Sequence, residues 1–195
     1  MPYTHTAFSQ AIFQMFENLD SWLTENHPNL PHHAVQVYLF GGCAVHLHTG
    51  DRTSNDVDAE LKKLDDLAFR EIVIKPVFFI DEQGWRKSLF FDGNFDAFMA
   101  SVDPCYEDRA ILIYTTKSQL VSLYLVSAVD LAVSKLARLE IDDRHDICLL
   151  YQRGLFTEQE FIETAQEALS YYPVRPDGLS FNIKQALNLI REGGI

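Results

Sequence analysis

The sequence predicts an α+β fold with a small mixed sheet, one amino-terminal helix and a bundle of carboxy-terminal helices. Apolar residues recur at three- and four-residue steps near the start of the chain, which is typical of an amphipathic helix. Short runs of strand-forming residues, separated by turn residues, fill the middle. After Val126 the apolar period changes from two to about 3.6. We therefore expect a core with its helix at residues 1–126 and a helical subdomain packed on it at residues 127–195.

The sheet and the first helix follow from apolar runs and the residues that interrupt them. The first helix is predicted at residues 7–26, and a shorter one at residues 43–48, after Gly41-Gly42 and before Gly50. Strand-forming runs predict the following segments: strands at 35–40, 56–61, 110–115 and 120–126, and a hairpin within 72–91 whose turn lies at 81–84.

The carboxy-terminal part is predicted to be helical throughout. Two capping boxes, Ser127 with Asp130 and Thr157 with Glu160, indicate helix starts. The predicted helices lie at residues 127–139, 143–152, 157–171 and 179–191, and Gly154, Pro173 and Pro176 separate them.

Composition and charge exclude several classes of protein. The 195 residues are 47% hydrophobic and 23% charged, as in a globular domain, and no apolar stretch approaches the roughly 20 residues that span a bilayer. Three cysteines without a Cys-x-x-Cys pair predict neither a disulfide framework nor a zinc ribbon. A net charge of −12 disfavours duplex DNA, whose binding requires Lys and Arg at the phosphates. We expect a cytoplasmic protein that binds neither membranes nor duplex DNA.

The segment at residues 38–59 carries the pattern that predicts chemistry. A strand leads into Gly41-Gly42, a short helix follows, and the next strand begins with Asp56 and Asp58. Residues two apart in a strand share a face, so these carboxylates lie side by side, and a cation between them would relieve their repulsion. Oxygen ligands suit Mg²⁺, which also binds substrate phosphates. A glycine turn at a helix start can accommodate an anion. The pattern predicts a nucleoside triphosphate held between the glycines and Mg²⁺.

This segment resembles the minimal nucleotidyltransferases of the DNA-polymerase-beta superfamily, which combine an apolar strand, Gly-Gly or Gly-Ser, and a later Asp-x-Asp. The segments 52–58, 130–138 and 143–155 resemble more narrowly a bacterial family of uncharacterised nucleotidyltransferases, domain of unknown function 6036. That family is distantly related to the abortive-infection toxins of toxin–antitoxin pairs. The resemblance extends from about Val35 to Leu189.

The resemblance implies a nucleotidyltransferase core in which Asp56 and Asp58 bind Mg²⁺ and Gly41 and Gly42 contact the triphosphate. A glycine stands at position 42, where the family often has serine, so Ser54 or Thr53 would supply the hydroxyl. The superfamily also uses a third carboxylate as a metal ligand or a base. Asp92 is the first choice for it, followed by two other acids: Asp96 and Asp81.

Two basic residues are candidate partners of the triphosphate, namely Arg52 and Lys135. Lys135 lies three residues before Arg138 and therefore shares a helix face with it. An equally weighted interpretation is structural: these cations could form ion pairs with Asp143 or Asp146 and join two helices.

Other chemistry-bearing residues have simpler interpretations. His46 and His48 project to different sides of a helix, so one is expected to pack and the other to be exposed. Cys43 is expected to be a small packing residue, although a thiol at a helix start can be acidified. Four phenylalanines are expected in the core: Phe90, Phe91, Phe95 and Phe98. A calcium-binding loop starting at Asp56 is excluded, because Leu61 and Leu67 occupy the positions of its glycine and glutamate.

Three functions follow, in decreasing order of preference. The first is Mg²⁺-dependent transfer of a nucleoside monophosphate from an NTP to an RNA end or a protein hydroxyl, as the toxin of a toxin–antitoxin pair with a cognate antitoxin as partner. The second is a catalytically inactive relative that binds a nucleotide or a partner. The third is a metal-dependent glycosyltransferase, for which the chain looks too short.

Overall fold

The computed structural model describes residues 1–63, 74–93, 95–173 and 176–193. Its architecture is mixed α+β with a six-stranded mixed sheet, which confirms the predicted fold class. Within the described residues, no helix combines the length and apolar character that crossing a membrane requires.

The chain forms two compact units. The first, here called the sheet unit, comprises Met1–Phe95 and Ile111–Leu125. The second, the helical unit, comprises Asp96–Ala110 and Val126–Ile195. Residues 96–110 therefore belong with the carboxy-terminal helices, although they precede two strands of the sheet in the chain.

The described residues of the sheet unit form two helices and six strands. In chain order these are α1 (Ala7–Asn26), β1 (Val35–Leu39), α2 (Gly41–Thr49), β2 (Asp56–Lys63), β3 (Val77–Ile80), β4 (Arg86–Asp92), β5 (Ile111–Thr115) and β6 (Val121–Leu125). The strand order is β3-β4-β2-β1-β6-β5. β1 pairs antiparallel with β2 and parallel with β6, and β2 pairs parallel with β4. The outer pairs, β3 with β4 and β5 with β6, are antiparallel.

Helix α1 supplies much of the core because its apolar side chains fall on one side. Phe8, Ile12, Phe16 and Leu19 are fully buried. Phe16 also meets the ring of Phe91 edge to face, with ring centroids 6.4 Å apart. These contacts confirm the interpretation of the first apolar repeat as a core-facing helix.

The same helix carries a buried acid that holds the turn between β5 and β6. The carboxylate of Asp20 accepts hydrogen bonds from the Thr116 hydroxyl at 2.7 Å and the Ser118 N–H at 3.1 Å. A buried carboxylate is tolerated only when its oxygens are satisfied, and this turn satisfies them.

The part of the helical unit that the structure describes forms five helices and one short 3-10 turn. They are α3 (Tyr106–Arg109), α4 (Ala128–Ser134), the 3-10 turn (Lys135–Ala137), α5 (Ile141–Gln152), α6 (Glu158–Tyr171) and α7 (Pro176–Glu192). The continuous helix predicted at residues 127–139 is wrong in this respect, because the α-helix ends at Ser134 and the chain tightens into the 3-10 turn.

Most element boundaries differ from the sequence prediction by a few residues. Helix α2 begins at Gly41, two residues before the prediction, because Phe40 serves as its N-cap. The hairpin is confirmed for β3 and β4, whereas residues 72 and 73 lie outside the described residues. The short helix α3 was not predicted, since four residues carry no readable period.

The two predicted capping boxes have different outcomes. At α6, the Thr157 hydroxyl and the Glu160 carboxylate satisfy each other's backbone N–H groups, as predicted. At α4, the Ser127 hydroxyl accepts from the Asp130 N–H at 3.2 Å, and the Asp130 carboxylate bonds back to the Ser127 hydroxyl, which donates to Oδ2 at 2.6 Å, rather than to the Ser127 N–H. The same fully buried carboxylate also binds Arg109 with both oxygens, because a charge removed from water needs a charged partner.

The expectation that four phenylalanines lie in the core is wrong for two of them. Phe90 is 43% exposed and Phe98 is 65% exposed. Phe91 alternates to the opposite side of β4 from Phe90 and contacts Phe16, and Phe95 stacks on Phe40 with centroids 4.9 Å apart. Hydrophobicity predicts burial of a residue type, whereas strand alternation decides which neighbour is buried.

Candidate active site

Strand β2 places its two aspartates on the open face of the sheet. Val57 and Ala59 point into the core, and each is at most 3% exposed. Asp56 and Asp58 alternate with them and project from the other face, Asp56 exposed and Asp58 partly exposed. The predicted side-by-side arrangement of these two carboxylates is therefore present.

A third carboxylate joins the pair from the neighbouring strand. β4 runs parallel to β2, with Asp56 opposite Phe90 and Asp58 opposite Asp92. Residues in register on parallel strands project to the same face, so Asp92 lies beside Asp58 on the open face. Asp92 is the acid that the sequence prediction ranked first.

The two acids ranked after Asp92 stabilise turns by accepting backbone hydrogen bonds. The Asp81 carboxylate accepts from the Gln83 and Trp85 N–H groups in the hairpin turn. The Asp96 carboxylate accepts from the Phe98 N–H in the helical unit. Both therefore have local structural roles that account for an aspartate at these positions.

Gly41 is required by the packing of Asp58. Its φ is +58°, a conformation that L side chains rarely adopt, and a Cβ there would stand 1.7 Å from Oδ2 of Asp58. The Phe40 N–H also donates to the Asp58 carbonyl at 2.9 Å. The absence of a side chain thus lets the Asp58 carboxylate lie against the start of α2. The contact of Gly41 with a triphosphate, which the sequence analysis expected, stays a prediction.

Gly42 lies against the loop that carries the other predicted ligands. A Cβ at Gly42 would stand 3.0 Å from the Cβ of Ser54 and 3.3 Å from Nε of Arg52. The Ser54 hydroxyl accepts from the Asp56 N–H at 3.2 Å, which connects this loop to the start of β2. The structure therefore brings Gly42, Arg52 and Ser54 together with the aspartate strand.

The start of α2 supplies a partial positive charge at the same place. Its N-cap is Phe40, whose side chain has no acceptor for the N–H groups of the first turn. Cys43, in the first turn of α2, is fully buried, and its thiol donates to the Asp56 carbonyl at 3.2 Å. Burial, together with the charges of Asp58 and Asp56, raises the pKa of the Cys43 thiol well above its ordinary value. Cys43 is therefore a packing residue that holds the backbone of Asp56, and its pKa shift runs opposite to that of an acidified thiol.

The donor chemistry of this site fits Mg²⁺. All three acids offer oxygen, which Mg²⁺ prefers, and two of them stand next to each other on one strand. Among the described residues, no group of three His, Cys, Asp or Glu side chains is arranged to hold a metal by itself. Mg²⁺ rarely requires such a group, since waters and substrate phosphates complete its octahedral shell around one or two carboxylates. Asp56 and Asp58 are the residues that would hold it.

Lys135 lies in the helical unit and has two acidic partners there. Its Nζ is 2.7 Å from Oδ2 of Asp146 and 3.7 Å from Oδ1 of Asp143, and its side chain is 7% exposed. The Arg138 guanidinium binds Asp143 through two nitrogens at 2.8 and 2.9 Å. The ion-pair interpretation of these residues is therefore realised. The assignment of Lys135 to a triphosphate stays a prediction.

The part that His46 plays beside the site was not predicted from the sequence. The ring is buried, as expected for one of the two histidines, while His48 is partly exposed. Its Nδ1 bonds the carbonyl of Arg52, so the ring contacts the loop that faces Gly42. A polar residue four positions after Gly42, on the buried side of a short helix, is the signal that could have indicated this role.

Comparison with known proteins identifies the family. A family model described as "Nucleotidyltransferase of unknown function (DUF6036)" matches residues 10–153, which include every predicted site residue. Neither a curated protein nor a solved structure matches the chain. The match also favours a nucleotidyltransferase over the glycosyltransferase alternative. The chain therefore belongs to this family of nucleotidyltransferases of unknown function.

Proposed function

We propose that the protein transfers a nucleoside monophosphate from an NTP to a hydroxyl at an RNA end or on a protein, with Mg²⁺ as cofactor. The observation that carries the proposal is the arrangement of Asp56, Asp58 and Asp92 on one sheet face, next to the uncapped start of α2. Family membership supports the reaction class.

The reaction is an in-line displacement at the α-phosphate. The acceptor oxygen forms a bond to the α-phosphorus while the bond from that phosphorus to the α,β-bridging oxygen breaks, and pyrophosphate leaves. The proton of the attacking hydroxyl passes to a carboxylate, for which we propose Asp92. Bound Mg²⁺ would neutralise the phosphate oxygens and help to stabilise charge on the attacking and leaving oxygens.

The residues around Gly42 would position the triphosphate. The first-turn N–H groups of α2 favour negative charge, and Arg52 adds a full positive charge beside them. Ser54 contributes a hydroxyl at the same place, where the resemblance predicted a replacement for the family's serine. We propose Lys135 as a further cationic partner only in so far as the ligand can compete with Asp146 for it.

The test is direct. Purified protein is incubated with each α-³²P-labelled NTP, Mg²⁺, and total RNA or total protein from cells, and the products are separated on denaturing gels. Label on RNA or on protein identifies the acceptor class. The Asp56→Asn variant serves as the matched control, and label that persists with that variant contradicts the assignment of the site.

We also propose that the protein is the toxin of a toxin–antitoxin pair, on the strength of its resemblance to abortive-infection toxins. Expression of the wild type should arrest growth, and co-expression of a neighbouring small gene should restore it. Arrest that also occurs with Asp56→Asn would contradict a toxicity that depends on transfer.

A second candidate is a nucleotide-binding relative without transfer activity. It is favoured by the glycine at position 42, where the resembled family often has serine. NTP binding in a calorimeter, combined with no labelled product under any acceptor condition, would support this candidate over the first.

A further inference from the structure

A partly buried series of hydrogen bonds in the sheet unit connects the loop that carries Arg52 to the start of the chain. We define the amino-terminal strap as residues Tyr3–Ser9. The Tyr3 N–H donates to the Leu47 carbonyl at 2.8 Å, and a Cβ at Gly50 would stand 2.8 Å from the Tyr3 ring. The strap therefore lies along the carboxy-terminal half of α2.

His46 is the point at which the strap and the loop meet. The side chain is buried with 4% exposure, and its Nε2 is 2.8 Å from the Thr6 hydroxyl oxygen. The other nitrogen, Nδ1, faces the Arg52 carbonyl, which can only accept. Nδ1 therefore carries a hydrogen, and the single hydrogen of the Thr6 hydroxyl is shared between two acceptors, Nε2 of the neutral ring and the Ser9 hydroxyl oxygen 2.8 Å away.

The remaining surroundings of His46 fix the ring. Phe8 meets it edge to face with centroids 4.9 Å apart. Thr6 itself is held as the N-cap of α1, because its hydroxyl oxygen accepts from the Ser9 N–H at 3.0 Å. The charged groups that act on the ring are Glu82, which also accepts from the Ala7 N–H, and Asp51. An imidazole held on several sides can transmit the position of the strap to the Arg52 carbonyl.

We infer that His46 is a positioning residue for the nucleotide site. Its Nδ1–H fixes the backbone of Arg52, and this bond sets the Arg52–Ser54 loop against Gly42 at the first turn of α2. The part of this inference that concerns nucleotide affinity rests on the proposed function. The part that concerns the position of the loop does not.

Two variants distinguish the roles of the two ring nitrogens of His46. The amide nitrogen of asparagine occupies nearly the place of Nδ1, whereas that of glutamine reaches nearly the place of Nε2. His46→Asn keeps a donor for the Arg52 carbonyl and loses the bond to Thr6. His46→Gln keeps a partner for Thr6 and loses the donor to Arg52. Both variants lose the ring packing against Phe8, so a merely structural role predicts the same effect for both.

The first readout is the backbone amide NMR spectrum. We expect the signals of residues 52–56 to stay near their wild-type positions in His46→Asn and to shift in His46→Gln. The second readout is the dissociation constant for an NTP with Mg²⁺. We expect it to rise about tenfold in His46→Gln and about twofold or less in His46→Asn, as for one lost hydrogen bond.

Equal shifts and equal affinities in the two variants would overturn the inference, and so would a larger effect in His46→Asn. If the wild type binds no NTP, the proposed function fails, and the amide signals still decide whether His46 positions the loop. Thr6→Val, which removes the hydroxyl without changing shape, should move the same amide signals less than His46→Gln does.

Discussion

Two groups of charged residues in this protein have similar sequence spacing and opposite environments. In the sheet unit, Asp56 and Asp58 stand two residues apart on an open sheet face and are at least partly accessible. In the helical unit, Asp143 and Asp146 stand three apart on α5, and the side chains of both acids are at most 3% exposed. The first group is at least partly open to solvent, whereas the second is buried and paired with Lys135 and Arg138 from the same chain.

The difference shows that the spacing of charged residues in the sequence indicates which side chains lie close together. It does not indicate whether a ligand can reach them. A buried carboxylate must be paired, because removing it from water costs several kcal/mol. A carboxylate at a strand end keeps part of its hydration and can exchange it for a metal or phosphate-bound metal. Burial therefore separates charges that stabilise the protein from charges that can do chemistry.

The largest effect on stability is expected when the buried ion pair between Lys135 and Asp146 is broken. Lys135→Met keeps much of the side-chain volume and leaves Asp146 buried without its cation, so the free energy of unfolding should fall by about 3–5 kcal/mol. Urea denaturation measures it. Lys184→Met makes the same chemical change at an exposed position of α7 and is the matched control.

The same variant tests whether Lys135 also contacts nucleotide. If the ion pair is its whole role, transfer activity per folded molecule stays at the wild-type level. A stable Lys135→Met protein whose transfer rate falls tenfold to a hundredfold, on the order of one charge-assisted bond, would contradict the purely structural role.

A large effect on activity with little effect on stability is expected in the sheet unit. Asp56→Asn removes the proposed metal ligand from an exposed strand end, and we expect the loss of several kcal/mol of charge stabilisation to lower the transfer rate by about a hundredfold or more. The melting temperature should stay close to that of the wild type. Glu60→Gln, on the same face of β2 and two residues beyond Asp58, is the control and should retain most of the activity.

Substitutions of Gly41 and Gly42 are expected to have intermediate effects on stability and transfer. Gly41→Ala places a Cβ against the Asp58 carboxylate at a positive φ, so the free energy of unfolding should fall by about 1–3 kcal/mol and transfer should fall with it. Gly42→Ala meets Ser54 at 3.0 Å without unfavourable φ and should cost less stability.

Gly42→Val tests the ligand-binding role of that glycine. We expect weaker NTP binding, because a branched side chain crowds Arg52 and Ser54 at the helix start. Calorimetric binding and melting are measured on the same preparation. A destabilised variant that binds NTP normally would limit Gly42 to a role in the turn.

The smallest effects appear as a dependence of stability on pH, in a different range for each unit. Burial lowers the pKa of His46 from 6.5, although the Arg52 carbonyl and nearby acids oppose this. The unfolded chain therefore binds the proton more readily, and stability falls as the pH drops below about 6.5. His46→Asn should lack this loss in urea titrations from pH 7.5 to pH 5, expressed relative to its own stability at pH 7.5.

The titration of Asp143 changes the stability of the helical unit at lower pH. Burial by itself would raise the pKa of Asp143, but the hydrogen bonds from Arg138 and the charge of Lys135 hold it below 3.8. Its stabilising contribution is complete above that value and is lost as the pH falls through the folded-state pKa. In Asp143→Asn this acid-limb loss should be reduced, and an unchanged acid limb would contradict the role of the pair.

Much of the fold followed from local patterns. Helix α1 was predicted with its observed bounds, Ala7–Asn26, because its apolar period is long and unbroken. The break of α4 into a 3-10 turn was not predicted, since Lys135 and Arg138 lie in a sequence that still has helical character. Their ion pairs with Asp143 and Asp146 were one of two equally weighted interpretations of the sequence, and the charge spacing by itself did not decide between them.

By itself the sequence determined the pair of aspartates, the glycines before them and the family resemblance, because strand alternation and turn chemistry are local properties. Only the tertiary structure decided that β4 lies parallel to β2 with Asp92 beside Asp58, since strand pairing joins residues far apart in the chain. It also decided that Gly41 accommodates Asp58, and that the buried ring of His46 meets the Arg52 carbonyl. Those relationships depend on which surfaces pack together, and packing is a property of the whole chain.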